Sequence, residues 1–266
     1  MKQRVIFGVT GAAAILLALF VLPPVVLKIA LTFLVCVAVF ELTACTRLVR
    51  DRVMILIAVA YAALYGVSLF TGLSAYQHIL QTVFILTLFA RLLQKHETAR
   101  FPDLSGAAFA GVCLPWLFLS LVRIFSMDNG SWLVLLPLVA AWGSDTCALF
   151  AGMLFGRHKL APVVSPKKTV EGAVGGVLGA TLLMVLVVVL YNKFTPIDIP
   201  VWAAVLLGAV GAVIGQLGDL TFSVIKRHTG IKDYGRIFPG HGGVLDRFDS
   251  VVFVAPVVEI ILQLVA

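Results

Sequence analysis

Ala203-Ala204-Val205-Leu206-Leu207-Gly208-Ala209-Val210-Gly211-Ala212-Val213-Ile214-Gly215-Gln216-Leu217-Gly218-Asp219-Leu220-Thr221-Phe222-Ser223-Val224-Ile225-Lys226-Arg227 carries one charge, on Asp219, before it ends on two cations. An α-helix rises about 1.5 Å per residue, so about 20 residues cross the hydrocarbon of a bilayer. The stretch is long enough to span, and its acid lies inside the span. Inserting a carboxylate costs about 2.5–3.5 kcal/mol, which makes an intramembrane acid a functional candidate by default. Asp219 stands seven residues before Lys226, about 10 Å of helix. Ser223 lies at i+4 and Lys226 at i+7 from Asp219, so the three share one helix face.

Working outward, runs of the same kind recur at about 5–22, 25–40, 53–70, 76–93, 104–124, 132–155, 170–191, 200–226 and 244–265. Of the 266 residues, 61% are hydrophobic and only 12% charged, and the mean hydropathy is +1.08. A soluble domain is about half apolar and about a quarter charged, and a disordered chain needs low hydrophobicity with high charge. Both classes are excluded. The expected fold is all-α, a polytopic membrane protein with about nine transmembrane helices. Pro23-Pro24 leaves the first two runs able to merge into a kinked hairpin. The run after Lys2 and Arg4 is too long for a secretory h-region and lacks a small-x-small cleavage site before Pro23, so it reads as an uncleaved span.

The basic residues fix an orientation. Lys2, Arg4, Arg47, Arg50, Arg52, Arg91, Lys95, Arg100, Arg157, Lys159, Lys167, Lys168, Lys226, Arg227, Lys232, Arg236 and Arg247 fall on one side of such a bundle. Only Lys28, Arg123 and Lys193 fall near the other. The positive-inside rule then places the N-terminus in the cytoplasm and the C-terminus outside. The net charge of +7 is accounted for by these loops, without a nucleic-acid partner. Cys36, Cys45, Cys113 and Cys147 form no CxxC pair, so no zinc site or disulfide framework is expected. Residues 1–131 read as scaffold helices that could serve dimerisation or lipid access. Residues 132–266 read as the catalytic region, with cytoplasmic loops at 156–169 and 227–243.

Glu41, Asp51, Glu97, Asp103, Asp128, Asp198 and Asp233 sit in loops or at span ends, and Glu259 near the outer end of the last span; none is given a role. Asp145, Glu171, Asp219, Asp246 and Asp249 remain. Asp246 and Asp249, at i and i+3, share a face. Together they suggest a polar cavity open to the cytoplasm, with carboxylates at its floor and cations at its mouth. Such carboxylates are hard oxygen ligands suited to Mg²⁺; the competing reading is that each acid pairs with a base and holds helices together.

Ser165-Pro166-Lys167-Lys168-Thr169-Val170-Glu171-Gly172 leads into a helix, with Thr169 as the expected N-cap. Two lysines at a helix N-terminus suit a polyphosphate. Further on, the glycines around His241 predict a turn with exposed amides, a nest for anions. His241 is open to three readings: proton donor, hydrogen-bond donor to phosphate, or structural turn residue.

Ser223-x-x-Lys226-Arg227, Lys232-Asp233-x-Gly235 and Phe238-Pro239-x-His241-Gly242-Gly243-x-x-Asp246-Arg247-x-Asp249 stand in one register. This stretch resembles the signature of the phosphatidate cytidylyltransferases, or CDP-diacylglycerol synthases. Trp142-Gly143-Ser144-Asp145-Thr146, Gly156-Arg157, Lys159-Leu160 and residues 165–172 form a second similar block. One departure is Leu149, where the family pattern has an aromatic.

The resemblance implies transfer of CMP from CTP to phosphatidic acid, giving CDP-diacylglycerol and pyrophosphate for phospholipid biosynthesis. It also implies a homodimer in the cytoplasmic (inner) membrane, with the active site facing the cytoplasm. Mg²⁺ is the expected cofactor, and a second, monovalent cation is left open. By the same resemblance Asp219 and Asp246 are the leading metal ligands, with Asp249 and Asp145 behind them. Lys167, Lys168, Lys226 and Arg227 would hold the phosphates. Asp219, Asp246, Lys226, Arg227 and His241 are the catalytic set, and Thr169, Glu171, Ser223, Lys232, Gly242, Gly243 and Arg247 complete substrate binding.

A CTP-dependent polyprenol kinase is the nearest alternative, and its alcohol acceptor would want a base. A CDP-alcohol phosphotransferase is set aside, because no Asp here is followed by Gly. A proton-coupled transporter would also bury acids, but with two similar halves.

Overall fold

The computed structural model describes residues 16–237 and 242–265. Helix α1 (Pro24–Phe40) continues into a π-helical turn (Glu41–Cys45) and is followed by α2 (Arg52–Ser68), α3 (Gln77–Gln94) and α4 (Phe101–Phe118). The short helices α5 (Ser120–Phe125) and α6 (Gly130–Leu133) lead into α7 (Leu135–Phe155). Strands β1 (Lys159–Ala161) and β2 (Ser165–Thr169) come next, then α8 (Val170–Phe194), α9 (Val201–His228) and α10 (Leu245–Val265).

Among the described residues seven helical segments are long and apolar enough to cross a membrane, and α2 is a shorter apolar helix of 17 residues. Seven of the nine expected runs thus coincide with these segments and the run at 53–70 with the shorter α2, while most of the 5–22 run lies outside the described residues. The outward faces fit a lipid solvent: Leu182 is 73% and Leu154 74% exposed, a placement that water would penalise.

Local sequence sets the ends. Pro24 opens α1 at a position where its missing N–H removes no bond. Asp51 caps α2 by accepting from Val53 N at 2.8 Å. Pro115 lies inside α4, cannot donate to the ladder, and the helix gives way at Leu119. The 156–169 loop departs from the all-α expectation. Its backbone closes on itself as an antiparallel hairpin, Lys159 opposite Thr169 and Ala161 opposite Ser165. The paired strands satisfy amides that an open loop would leave to water.

The C-terminal helices pack closely because small residues face backbone. A Cβ at Gly172 would lie 2.8 Å from Ala148 O, and one at Gly176 2.9 Å from Ser144 O, so only glycine lets α8 lie this near α7. Helix α10 packs against α9 and α7 on one side and α4 and α5 on the other, and buried apolar residues run continuously through both halves.

Away from the basic loops, Arg123 Nε donates to Glu259 Oε1 at 2.7 Å, tying α5 to α10. This pair is the partner that a sequence reading could not supply for Glu259. Removing one member of a buried pair strands the other, so Glu259→Ala should cost about 3 kcal/mol of stability. A melting temperature in detergent equal to that of the parent chain would show the pair to be dispensable.

Candidate active site

A cavity of about 480 Å³ opens between α7, α8, α9 and the hairpin, lined by Asp145, Gly152, Lys167, Lys168, Gln216 and Asp219, among others. Each wall has a local cause. The hairpin delivers Lys167 and Lys168 to the rim, and Thr169 caps α8 by accepting from Gly172 N at 3.1 Å, as its position in the sequence predicts. Glycines at 172 and 176 bring the α8 backbone against α7, so the wall there is bare peptide. Gln216 Nε2 donates to Ser144 Oγ (3.2 Å) and Ala173 O (3.0 Å), which joins the three helices at cavity depth. Leu149, the departure from the family pattern, also lines the cavity and is 60% exposed.

Asp219 is the hub. Its Oδ1 accepts from Ser223 Oγ at 3.3 Å, one helical turn on, and its Oδ2 forms an ion pair with Lys168. Asp145 and Asp249 lie within electrostatic range of Asp219 and of each other. Asp145 Oδ2 also accepts from Ser250 Oγ at 3.2 Å, linking α7 to α10. Three carboxylates from three helices thus face one region. Lys168 matches one of these charges, and Lys226 is matched by Asp246. Asp145 and Asp249 are left without an ion pair among the described residues, and carboxyl oxygens so placed suit a divalent cation. Among the described residues no three His, Cys, Asp or Glu side chains converge as a ready-made metal cage. An ion here would be completed by a ligand's oxygens, as Mg²⁺ usually is when one or two carboxylates and substrate phosphates share it.

Asp246 is engaged differently from its expected leading place among the ligands. Its Oδ1 accepts from Lys226 Nζ at 3.0 Å, and its Oδ2 from Tyr234 N (2.8 Å) and Gly243 N (2.9 Å). It therefore fastens Tyr234 and Gly243 to α9 and aims Lys226. Of the nest of amides expected around the glycines, Gly240 and His241 lie outside the described residues, and the amides that follow at 243–245 are taken up by the protein's own carboxylates. Gly243 N goes to Asp246, while Val244 N and Leu245 N donate to Glu41 Oε1 and Oε2, each at 3.0 Å. Amides at a helix N-terminus attract any nearby anion, and here two side chains arrive first. Gly242 has φ +84° beside Asp246, a conformation that glycine permits.

The other expected residues are dispersed. Glu171 holds the base of the hairpin, accepting from Arg157 N (3.0 Å), His158 N (3.2 Å) and His158 Nδ1 (2.6 Å). Arg227 Nε donates to Val164 O at 3.3 Å. Lys232 and Arg247 are exposed. Phe238, Pro239 and His241 lie outside the described residues.

Two residues were missed by the sequence reading. Glu41, 1% exposed, reaches α10 from the other half of the chain. Tyr234, also 1% exposed, donates from its hydroxyl to Phe222 O at 2.9 Å. Burial, with Asp246 and Asp249 nearby, pushes the Tyr234 phenol well up and keeps it a donor. The signal for Glu41 was an acid ending an apolar run; nothing in the sequence marks Tyr234.

The chain is 41% identical over 157 residues to a protein of Staphylococcus saprophyticus named phosphatidate cytidylyltransferase. That alignment covers 59% of this chain and 59% of the relative. A Staphylococcus aureus protein of the same name is 44% identical over 135 residues, 51% of this chain and 50% of its own length. The chain thus matches little more than half the length of these relatives. The pattern that defines the Cytidylyltransferase family matches residues 2–265, so a cavity of lysines and intramembrane aspartates belongs to a chain that is a member of the cytidylyltransferase family.

Proposed function

We propose that the chain transfers CMP from CTP to phosphatidic acid, yielding CDP-diacylglycerol and pyrophosphate. The observation that carries this reading is the pairing of Lys168 with Asp219 beside Asp145 in one cavity, with Asp249 behind it within electrostatic range of both aspartates. The names of the Staphylococcus relatives support the choice of substrates.

A lipid phosphate oxygen attacks the α-phosphorus of CTP while the bond to the β-phosphate breaks and its electron pair leaves with pyrophosphate. The attacking group is already anionic, so no deep general base is required. The chain must position two anions and offset their repulsion. Lys167 and Lys168 stand at the rim to meet the polyphosphate; Lys168 exchanges its carboxylate partner for a phosphate. In this reading Lys226, held by Asp246, would meet the lipid headgroup, with Arg227, Lys232 and Arg247 as further cations. Ser223 orients Asp219, Thr169 fixes the lysines through its cap, and Gly242, Gly243 and Glu171 shape the loops around the site. His241 keeps its three open readings.

Asp219, Asp145 and Asp249 would hold Mg²⁺, with Asp246 as a further candidate. When bound, the ion supplies charge neutralisation and alignment of the phosphates. A second, monovalent ion is compatible with the surplus of carboxylates. We place the site on the cytoplasmic face of the inner membrane, N-terminus inside and C-terminus outside, because the basic loops all fall on that side. The family resemblance supports a homodimer.

The purified chain, given phosphatidic acid and CTP labelled at either the α- or the γ-phosphorus, should place only α-label in lipid. Label from the γ-position, or label in added polyprenol, would assign a kinase instead. In the same assay Lys168→Ala should raise the KM for CTP roughly tenfold, the worth of one charge-assisted hydrogen bond. An unchanged KM would put Lys168 outside the nucleotide site.

A further inference from the structure

A second pair of cavities lies at the same end of the bundle, where Glu41 brings the end of α1 to the start of α10. One, of about 500 Å³, is lined by Arg50, Arg52, Arg91, Lys95 and Arg100 together with Asp51 and Asp103. The other, of about 660 Å³, is lined by Phe40, Ile55, Leu56 and Val59, with Arg47, Arg50 and Arg52 around it. The two share Arg50 and Arg52 and have no residue in common with the cavity at Asp219.

The charge here is one-sided. Asp51 is committed to Arg91 Nε at 2.9 Å and to Val53 N at 2.8 Å, and Asp103 Oδ1 accepts from Arg50 N at 2.7 Å. Among the described residues Arg47, Arg50, Arg52 and Arg100 have no salt bridge to a carboxylate. Arg47 is also held at φ +57°, a left-handed conformation that a non-glycine residue keeps only where its surroundings impose it.

Below these cations the surface turns apolar in register. Arg52, Ile55, Leu56 and Val59 stand at i, i+3, i+4 and i+7 of α2, one face of the helix. Phe40 at the end of α1, Ala44 in its π-turn and Arg47 just beyond it line the cavity from the other side. Val59 lies about 10 Å along α2 from Arg52, which is the order of depth between a headgroup and the upper part of an acyl chain. Phe40 is 50% and Leu56 67% exposed, so the groove opens on the lipid-facing flank.

We propose that this cleft binds one anionic phospholipid, its phosphate on Arg47, Arg50 and Arg52 and an acyl chain along Phe40, Ile55, Leu56 and Val59. A free phosphate or nucleotide would satisfy the cations but leave the groove unfilled; a neutral lipid would fill the groove but leave the cations unmatched. Basic pockets between helices on the cytoplasmic side are a recurrent solution for acidic headgroups. The site stands on this geometry alone, whether or not the chain transfers CMP.

The test is native mass spectrometry of the full chain released from nanodiscs holding equal phosphatidylglycerol and phosphatidylcholine. One phosphatidylglycerol should be retained per chain in at least about tenfold preference, since each surface cation adds appreciably to binding of anionic lipid. The triple variant Arg47→Gln, Arg50→Gln, Arg52→Gln should lose that preference. Leu56→Trp fills the groove with the charge untouched and should also lower retention, which keeps the test decisive if the triple variant does not fold. Excess inorganic phosphate should not displace the lipid. Equal retention of the two lipids, retention unchanged in Leu56→Trp, or displacement by phosphate would overturn the proposal.

Discussion

Asp219→Asn is expected to lower CMP transfer by about 10²–10³-fold, the range seen when one preorganised electrostatic group is removed, while the protein accumulates normally. Asparagine keeps the shape of the side chain and can still accept from Ser223 Oγ across the 3.3 Å contact. What it loses is charge. Lys168 loses its carboxylate partner, and the region shared with Asp145 and Asp249 loses the member common to both interactions. The side chain of Lys168 is 26% exposed, so it can turn toward water and spare the fold. The measurement is kcat in detergent beside the yield of folded protein. Activity and yield falling together would instead make Asp219 a tie between helices, the competing reading of every intramembrane acid here.

Glu41→Ala should have the largest effect on stability. Both carboxylate oxygens of Glu41 accept buried amides at the start of α10, those of Val244 and Leu245. Each donor left without a partner in a dry site costs about 1–3 kcal/mol, so together they amount to about 4 kcal/mol. Gly235 and Gly243 pack against the same carboxylate, so truncation also leaves a gap. Because Asp246 and Asp249 lie on the first turns of α10, activity should fall even in the fraction that folds. Glu41→Gln should also be destabilised, since its amide nitrogen would face a donor. Thermal unfolding of both variants in detergent checks this, and a melting temperature within a degree or two of the parent for Glu41→Ala would remove the clamp from the account.

Much of this architecture can be read from residue order. The long apolar runs mark the helices, because a backbone in hydrocarbon must satisfy itself within one segment. Asp219 and Asp145 stand out because a carboxylate in a span needs a reason to be there. Thr169 is readable as a cap because a long apolar run begins at Val170, immediately after it. Harder to read is whatever depends on partners distant in the chain. Glu41 and Val244 are 203 residues apart, and an acid ending an apolar run looks like an ordinary interfacial residue. Asp246 beside glycines looks the same whether its oxygens await an ion or hold Lys226, Tyr234 N and Gly243 N. The 159–169 hairpin is hidden because its strands are short and basic, with no alternation of apolar residues to announce them.

Mn²⁺ can stand in for Mg²⁺ as a spectroscopic probe of the three-helix carboxylate site. Titrated into the purified chain with CTP present, it should give an electron paramagnetic resonance signal for about one bound ion per chain, since substrate phosphates complete the carboxylate set. In Asp219→Asn that bound signal should vanish at the same concentrations. Equal Mn²⁺ binding by the two proteins, with CTP present in both, would contradict the assignment of this cavity.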